Sequence, residues 1–139
     1  MSGSESAMRK KVVKLLTTVN AQAVENRVGP GMPDICVISL GIWIECKKTA
    51  AFPKREDSVV SLTHGLLDSQ KVWLNRCDRR GGRAYVLTQV ATEFFLHDGP
   101  TACRVVGEVD RATLTSTSVL HCVGWTDLER KLLPFLCNK

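Results

Sequence analysis

Apolar residues recur at helical spacing near the start of the chain: Met8, Val12, Val13, Leu15, Leu16 and Val19 follow Ser4 and Glu5. Ser4 is placed to cap this helix, Glu5 suits the positive end of its dipole, and Lys10, Lys11 and Lys14 take the outer face. Residues 21–25 then read as a first strand, and a loop over 26–32 carries Gly29, Pro30 and Gly31. Two short β-prone runs, 35–38 and 42–44, flank a turn signal at Ser39-Leu40-Gly41. The stretch 48–66 has no clear period and reads as a long functional loop. Asp68 can cap a helix over 69–80 that turns Trp73, Leu74 and Cys77 inward and stops at Gly81-Gly82. Strands over 83–88 and 93–97 follow, closed by Asp98-Gly99, while no pattern assigns 100–122. Thr126 and Glu129 have capping-box spacing ahead of Leu128, Leu132, Leu133 and Leu136, a closing helix. The order α-β-β-β-α-β, with additions and no repeat, predicts an α/β (α+β) fold: a mixed central β-sheet flanked by helices. At 139 residues the chain makes one domain.

Composition narrows the class. With 44% hydrophobic and 24% charged residues the chain reads as a soluble globular protein, and no apolar run approaches the roughly 20 residues of a membrane span. Its first residues are polar and run into Arg9-Lys10-Lys11, without the apolar core of a secretory signal. A cytoplasmic protein with no membrane partner is expected. The six cysteines (36, 46, 77, 103, 122 and 137) include no Cys-x-x-Cys pair, and His121 and Cys122 would point to opposite faces of a strand. Reduced, buried thiols are expected rather than a zinc site. The net charge of +5 is uneven: residues 1–83 carry 14 Lys/Arg against 8 Asp/Glu, residues 84–139 carry 5 against 6. That asymmetry suits a polyanion-binding face, although ordinary solubilising charge gives the same count.

The turn at 39–41 organises the candidate chemistry. In a hairpin centred on Ser39-Leu40, paired positions sum to a constant, which sets Asp34 opposite Glu45, about 4.5–5.5 Å apart at Cβ. Lys47 shares the face of Glu45 because strand side chains alternate. Glu45 interrupts the apolar run Ile42-Trp43-Ile44-x-Cys46, and a carboxylate in a half-buried strand is costly without a partner. Two acids at that range repel unless a cation joins them. Mg²⁺ suits the task, since it takes hard oxygen ligands, keeps several waters and needs only one or two carboxylates plus substrate phosphate. Such an ion polarises a phosphoryl oxygen and lowers the pKa of a bound water. Lys47 would hold that water or stabilise developing charge, and the Cys46 carbonyl lies between the two functional side chains as a further ligand. The plain alternative is a charged hairpin, with Asp34 a turn residue after Pro33 and Glu45–Lys47 an edge-strand ion pair.

Taken in order, Gly31-x-Pro33-Asp34, Ile44-Glu45-Cys46-Lys47, Gln70-x-x-Trp73-Leu74 and Gly81-Gly82-x-Ala84-Tyr85-Val86 resemble the PD-(D/E)XK nuclease superfamily. Within it the nearest likeness is to stand-alone VRR-NUC and Holliday-junction-resolvase-like proteins, many from phages and prophages. The resemblance covers residues 5–97 and leaves 98–139 as a C-terminal extension. It implies a restriction-endonuclease-like αβββαβ core, with Asp34 and Glu45 as metal ligands, Lys47 as the catalytic lysine and Gln70 directed at the active centre. It also implies a further glutamate. Glu25, at the end of the first strand, is preferred to Glu5, which reaches the metal only if the helix start packs over the active face. The implied catalytic set is Asp34, Glu45, Lys47, Glu25 and Gln70, with Asp34, Glu45, Cys46 and Glu25 around Mg²⁺, for which Mn²⁺ can substitute.

Arg27, Lys48, Lys54, Arg55 and Lys71 are the candidates for gripping DNA. Arg79, Arg80 and Arg83 could join them or simply form a solvated helix end, Trp43 and Trp73 read as packing residues, and His64 reads as an inert loop histidine. The function expected is Mg²⁺-dependent hydrolysis of DNA phosphodiester bonds, selective for branched or flapped structures. A homodimer is expected, because resolving a junction needs two nicks and the chain supplies one site. A sequence-selective or nicking restriction-type nuclease and a catalytically silent nucleic-acid-binding module are the competing readings.

Overall fold

The computed structural model describes residues 5–24 and 29–138. Ser4, Glu25 and Arg27, to which the sequence assigned roles, lie outside those residues. Helix α1 (Glu5–Leu15) ends before its apolar stripe does, in a 3-10 turn over Thr17–Val19 that Asn20 closes in the left-handed region (φ 60°). The β-branched run Thr17-Thr18-Val19 is a poor helix continuation, because its side chains crowd the preceding turn. Strand β1 (Ala21–Ala23) follows, shorter than the 21–25 expected.

Strands β2 (Ile35–Val37) and β3 (Ile42–Thr49) form the expected hairpin in the expected register, with Ile35 opposite Ile44, Cys36 opposite Trp43 and Val37 opposite Ile42. The connection winds through a 3-10 turn over Ile38–Leu40 and is closed by Gly41 at φ 65°. Because β3 runs to Thr49, Lys48 is a strand residue and not part of the loop. Helix α2 (Asp68–Arg79) returns the chain to β4 (Arg83–Val90), which pairs parallel with β3. Asp68 is not the cap of α2. Leu67 takes that position, and its N–H donates to Gln70 Oε1 at 2.9 Å.

Strand β5 (Glu93–Asp98) is antiparallel to β4, and β6 (Leu120–Val123) is antiparallel to β5. The sheet is six-stranded and mixed, in the order β1-β2-β3-β4-β5-β6. The unassigned segment holds two short helices as well as β6: α3 (Gly99–Val105) and α4 (Arg111–Thr117). Each is capped by an aspartate three residues before a threonine, Asp98 to Thr101 N–H at 2.9 Å and Asp110 to Thr113 N–H at 3.0 Å. Two turns are too short for a helical period to stand out. In the closing helix α5 (Trp125–Cys137) the expected capping box does not form. Gly124, at φ 86°, takes the N-cap and puts Thr126 inside the first turn, while Asp127 accepts the Val123 N–H at 2.9 Å.

Both sheet faces are covered. On one, Met8, Val12 and Leu16 join Leu128, Leu132 and Leu136 over Ile35, Ile42, Ile44, Leu87 and Phe94. On the other, Leu74, Ala102 and Leu114 lie over Val86, Val90 and Phe95. Residues 98–138 thus supply helices to both faces and a strand to the sheet. Among the described residues no helix is long and apolar enough to cross a membrane. The cysteines are free thiols, but only Cys46 and Cys122 are fully buried; Cys137, at the end of α5, is exposed, which corrects the expectation of six buried thiols.

Candidate active site

The β3-α2-β4 unit brings the carboxyl end of β3 against the amino end of α2, the place where parallel α/β units expose functional groups. Strand alternation then sorts the side chains. Ile42, Ile44 and Cys46 enter the core shared with α1 and α5, while Trp43, Glu45 and Lys47 take the face beneath α2.

Asp34 directly precedes the pair Ile35–Ile44, so continuing the register brings it level with Glu45. Its Oδ2 accepts the Cys46 N–H at 3.0 Å, and its Oδ1 lies 3.9 Å from Arg9 Nη1. Glu45 Oε2 accepts from Gln70 Nε2 at 2.9 Å and sits 3.5 Å from Lys47 Nζ. Glu45, Lys47 and Gln70 are all buried, at 3%, 4% and 8% exposure. Charges that deep are tolerated only when paired and hydrogen-bonded, as here. Gln70 works at both ends: its oxygen holds the start of α2 through Leu67, and its amide holds Glu45.

Gly31 explains how the 29–33 loop reaches this place. At φ 82° a Cβ would stand 2.2 Å from Ser69 O, so only glycine lets the loop lie directly on the first turn of α2. That contact locks the chain leading into Asp34 to the helix that carries Gln70.

The amino end of α1 also arrives here. Glu5 Oε2 accepts the Lys48 N–H at 3.4 Å, so the helix start reaches the end of β3, while the body of α1 covers the sheet face opposite Glu45 and Lys47. The preference for Glu25 over Glu5 has no support in the geometry, since Glu25 lies outside the described residues. A signal for Glu5 was in the sequence. Residues 5, 8, 12 and 16 form one helical stripe whose other members, Met8, Val12 and Leu16, are core, and Arg9 extends it one position to the side. From the sequence alone Arg9 has no role beyond the basic run Arg9-Lys10-Lys11. The Cys46 thiol registers the acidic surroundings: burial pushes its pKa well up, Asp34, Glu45 and Glu5 push further, and Arg9 opposes them.

The proposed DNA-gripping residues are dispersed. Lys48 is half-buried beside Glu5, Lys54 and Arg55 are exposed in the 50–67 segment, and Lys71 is half-buried on α2. Arg55 is 3.3 Å from Asp57, which offsets its charge. Arg83 is anchored to Leu136 O and Tyr85 Oη and serves the fold. His64 is exposed. Thr88, level with Lys47 on β4, is buried on the same face, and its hydroxyl has no hydrogen-bond partner among the described residues.

The donor set suits a hard ion. It offers the carboxylates of Asp34, Glu45 and Glu5 and the Cys46 carbonyl, while the Cys46 thiol faces the opposite core and withholds the soft ligand that zinc favours. Among the described residues no three Asp, Glu, His or Cys side chains converge tightly enough to form a ligand cage. Mg²⁺ does not require one, because water and substrate phosphate complete its shell.

No model of a known protein family matches this chain, and no curated protein matches it either.

Proposed function

We propose that this chain is a divalent-metal-dependent endodeoxyribonuclease that hydrolyses phosphodiester bonds in branched or flapped DNA, acting as a homodimer. The observation that carries the reading is the buried Glu45–Lys47–Gln70 group at the carboxyl end of β3, with Asp34 held level with Glu45 by the Cys46 N–H. A purely structural hairpin gains nothing from burying an ion pair there, since well-packed apolar residues would serve the fold as well or better.

Asp34, Glu45 and the Cys46 carbonyl would hold Mg²⁺, with Glu5 as the further acidic group. The bound ion would supply Lewis-acid polarisation of the phosphate and a more acidic water. Gln70 fixes the orientation of the Glu45 carboxylate. Lys47 supplies positive charge 3.5 Å from that carboxylate, where it can orient a water for in-line attack or offset charge growing on the phosphate oxygens. Arg9, beside Asp34, limits the repulsion among the acids before substrate arrives.

The test is a cleavage panel of four-way junctions, flaps, duplex and single strands, with Mg²⁺, with Mn²⁺ and with EDTA. Metal-dependent nicking lost in Asp34→Ala and Glu45→Ala supports the reading, and full activity in either variant sinks it. A second reading has one observation in its favour: Lys47 and Gln70 both engage Glu45 Oε2, as they would in a silent DNA-binding module. Binding without cleavage on every substrate would select it.

A further inference from the structure

Trp43 and Trp73 pack edge to face with ring centroids 5.4 Å apart, yet both stay half-exposed. Trp73 lines two clefts that share it and Arg76, and Trp43 lines one of them. One, of about 320 Å³, is lined by Trp43, Trp73, Arg76, Cys77, Arg80 and Gly82. The other, of about 490 Å³, runs past Ser69 and Val72 toward the loop of Pro30 and Met32. Together they form a track along α2 that reaches Ser69, the residue before Gln70. Trp43 stands two residues before Glu45 on the same face of β3, about 6.6 Å away along the strand. Trp73 stands one turn beyond Gln70, about 4.5 Å along the helix. The aromatic pair is therefore the next rung of the strand–helix contact that holds the buried carboxylate.

Charge identifies the occupant. Arg76 and Arg80 are exposed on the track, Arg79 is exposed beside them, and none has a carboxylate within ion-pair distance among the described residues. Unpaired guanidiniums along an aromatic cleft match a polyanion whose units also present flat π-faces. In a duplex those faces are stacked inside, so only unpaired bases can reach the rings. We propose that this track binds a single-stranded DNA arm, with a base against Trp73 and phosphates at Arg76 and Arg80. Resting on the nuclease reading above, it assigns the substrate class: DNA in which a single strand emerges at the scissile position.

The test is binding without cleavage. In EDTA, tryptophan fluorescence and anisotropy are measured with a labelled oligothymidylate and with a duplex of equal length. The wild type should bind the single strand with tryptophan quenching, at least about fivefold tighter than the duplex, the worth of one base–aromatic stack. Trp73→Leu should remove that preference. Arg76→Gln/Arg80→Gln should lower the slope of log K against log salt by about 1.4, at roughly 0.7 per phosphate on single strands. Arg130→Gln, an exposed charge on α5, should leave binding unchanged within twofold. Equal affinity for both DNAs, no quenching, or an unaltered salt slope in the arginine variant overturns the proposal; the last two decide it even if Trp73→Leu does not fold. Single-strand binding without cleavage of any DNA would keep this inference and sink the nuclease reading. Metal-dependent cleavage of plain duplex without single-strand binding would do the reverse.

Discussion

Lys47→Met isolates the ion pair at the centre of the site. The ammonium lies 3.5 Å from Glu45 Oε2, and both side chains are nearly sealed from water, at 6% and 4% exposure. At an effective dielectric of about 20, charges at that distance attract by about 5 kcal/mol. Much of this only offsets the cost of taking both charges out of water, so the measured quantity is what happens when one partner is removed. Breaking a buried pair typically costs about 3–5 kcal/mol, because the remaining charge stays buried. Methionine keeps the length and packing of the lysine stem, so cavity formation adds little. We expect urea denaturation at pH 7 to show a loss of about 3 kcal/mol for Lys47→Met. Glu45→Gln/Lys47→Met should be the more stable of the two, because the charge that needed a partner is gone while the hydrogen bond to Gln70 can persist. The cycle should show a coupling of about 1.5 kcal/mol or more. Additivity within about 0.5 kcal/mol would refute the reasoning, and so would a loss below about 1 kcal/mol for Lys47→Met alone. Mg²⁺ adds a second arm: the wild-type midpoint should rise with metal by mass action, and that of Glu45→Gln much less.

Three further outcomes are expected. Glu5→Gln should raise the Mg²⁺ concentration needed for half-maximal cleavage, read from a metal titration; an unchanged titration would confine Glu5 to holding the Lys48 N–H. Gly31→Ala should cost about 2 kcal/mol or more in denaturant melts, from positive-φ strain plus the collision with Ser69 O, whereas Gly41→Ala, also at positive φ but facing open space, should cost about 1 kcal/mol. Equal losses would remove the close-approach argument. His97 is fully buried, with Nε2 3.0 Å from Leu114 O and Nδ1 without a hydrogen-bond partner among the described residues, and burial lowers its pKa from 6.5. The unfolded chain therefore takes up that proton first, and stability should fall as pH drops below about 6.5. Comparing melts at pH 7.5 and 5.5, His97→Gln should flatten that fall; an unchanged pH dependence would contradict it.

Local periodicity was enough for the central hairpin. A strand alternates sides every residue and a hairpin pairs positions of constant sum, so the turn at 39–41 by itself determined that Asp34 would stand level with Glu45 and that Lys47 would share its face. The β3-α2-β4 unit was legible for the same reason, since each element is long enough to show its period. Short elements were not. Helices α3 and α4 span two turns each, and their signal is the aspartate cap before Thr101 and before Thr113 rather than any apolar stripe. At α5 a local motif lost to the backbone: Gly124 at positive φ begins the helix ahead of Thr126, and the capping-box spacing has nothing to cap. Which distant groups meet depends on packing. Glu5 and Lys48 are 43 positions apart and Gln70 and Glu45 are 25 apart, and no local period relates them. Their meeting depends on which sheet face each helix covers and at what height, and that is set by how Met8, Val12 and Leu74 pack into the two cores. The register of a hairpin is a property of neighbours along the chain, whereas the completion of a site across a sheet is a property of packing.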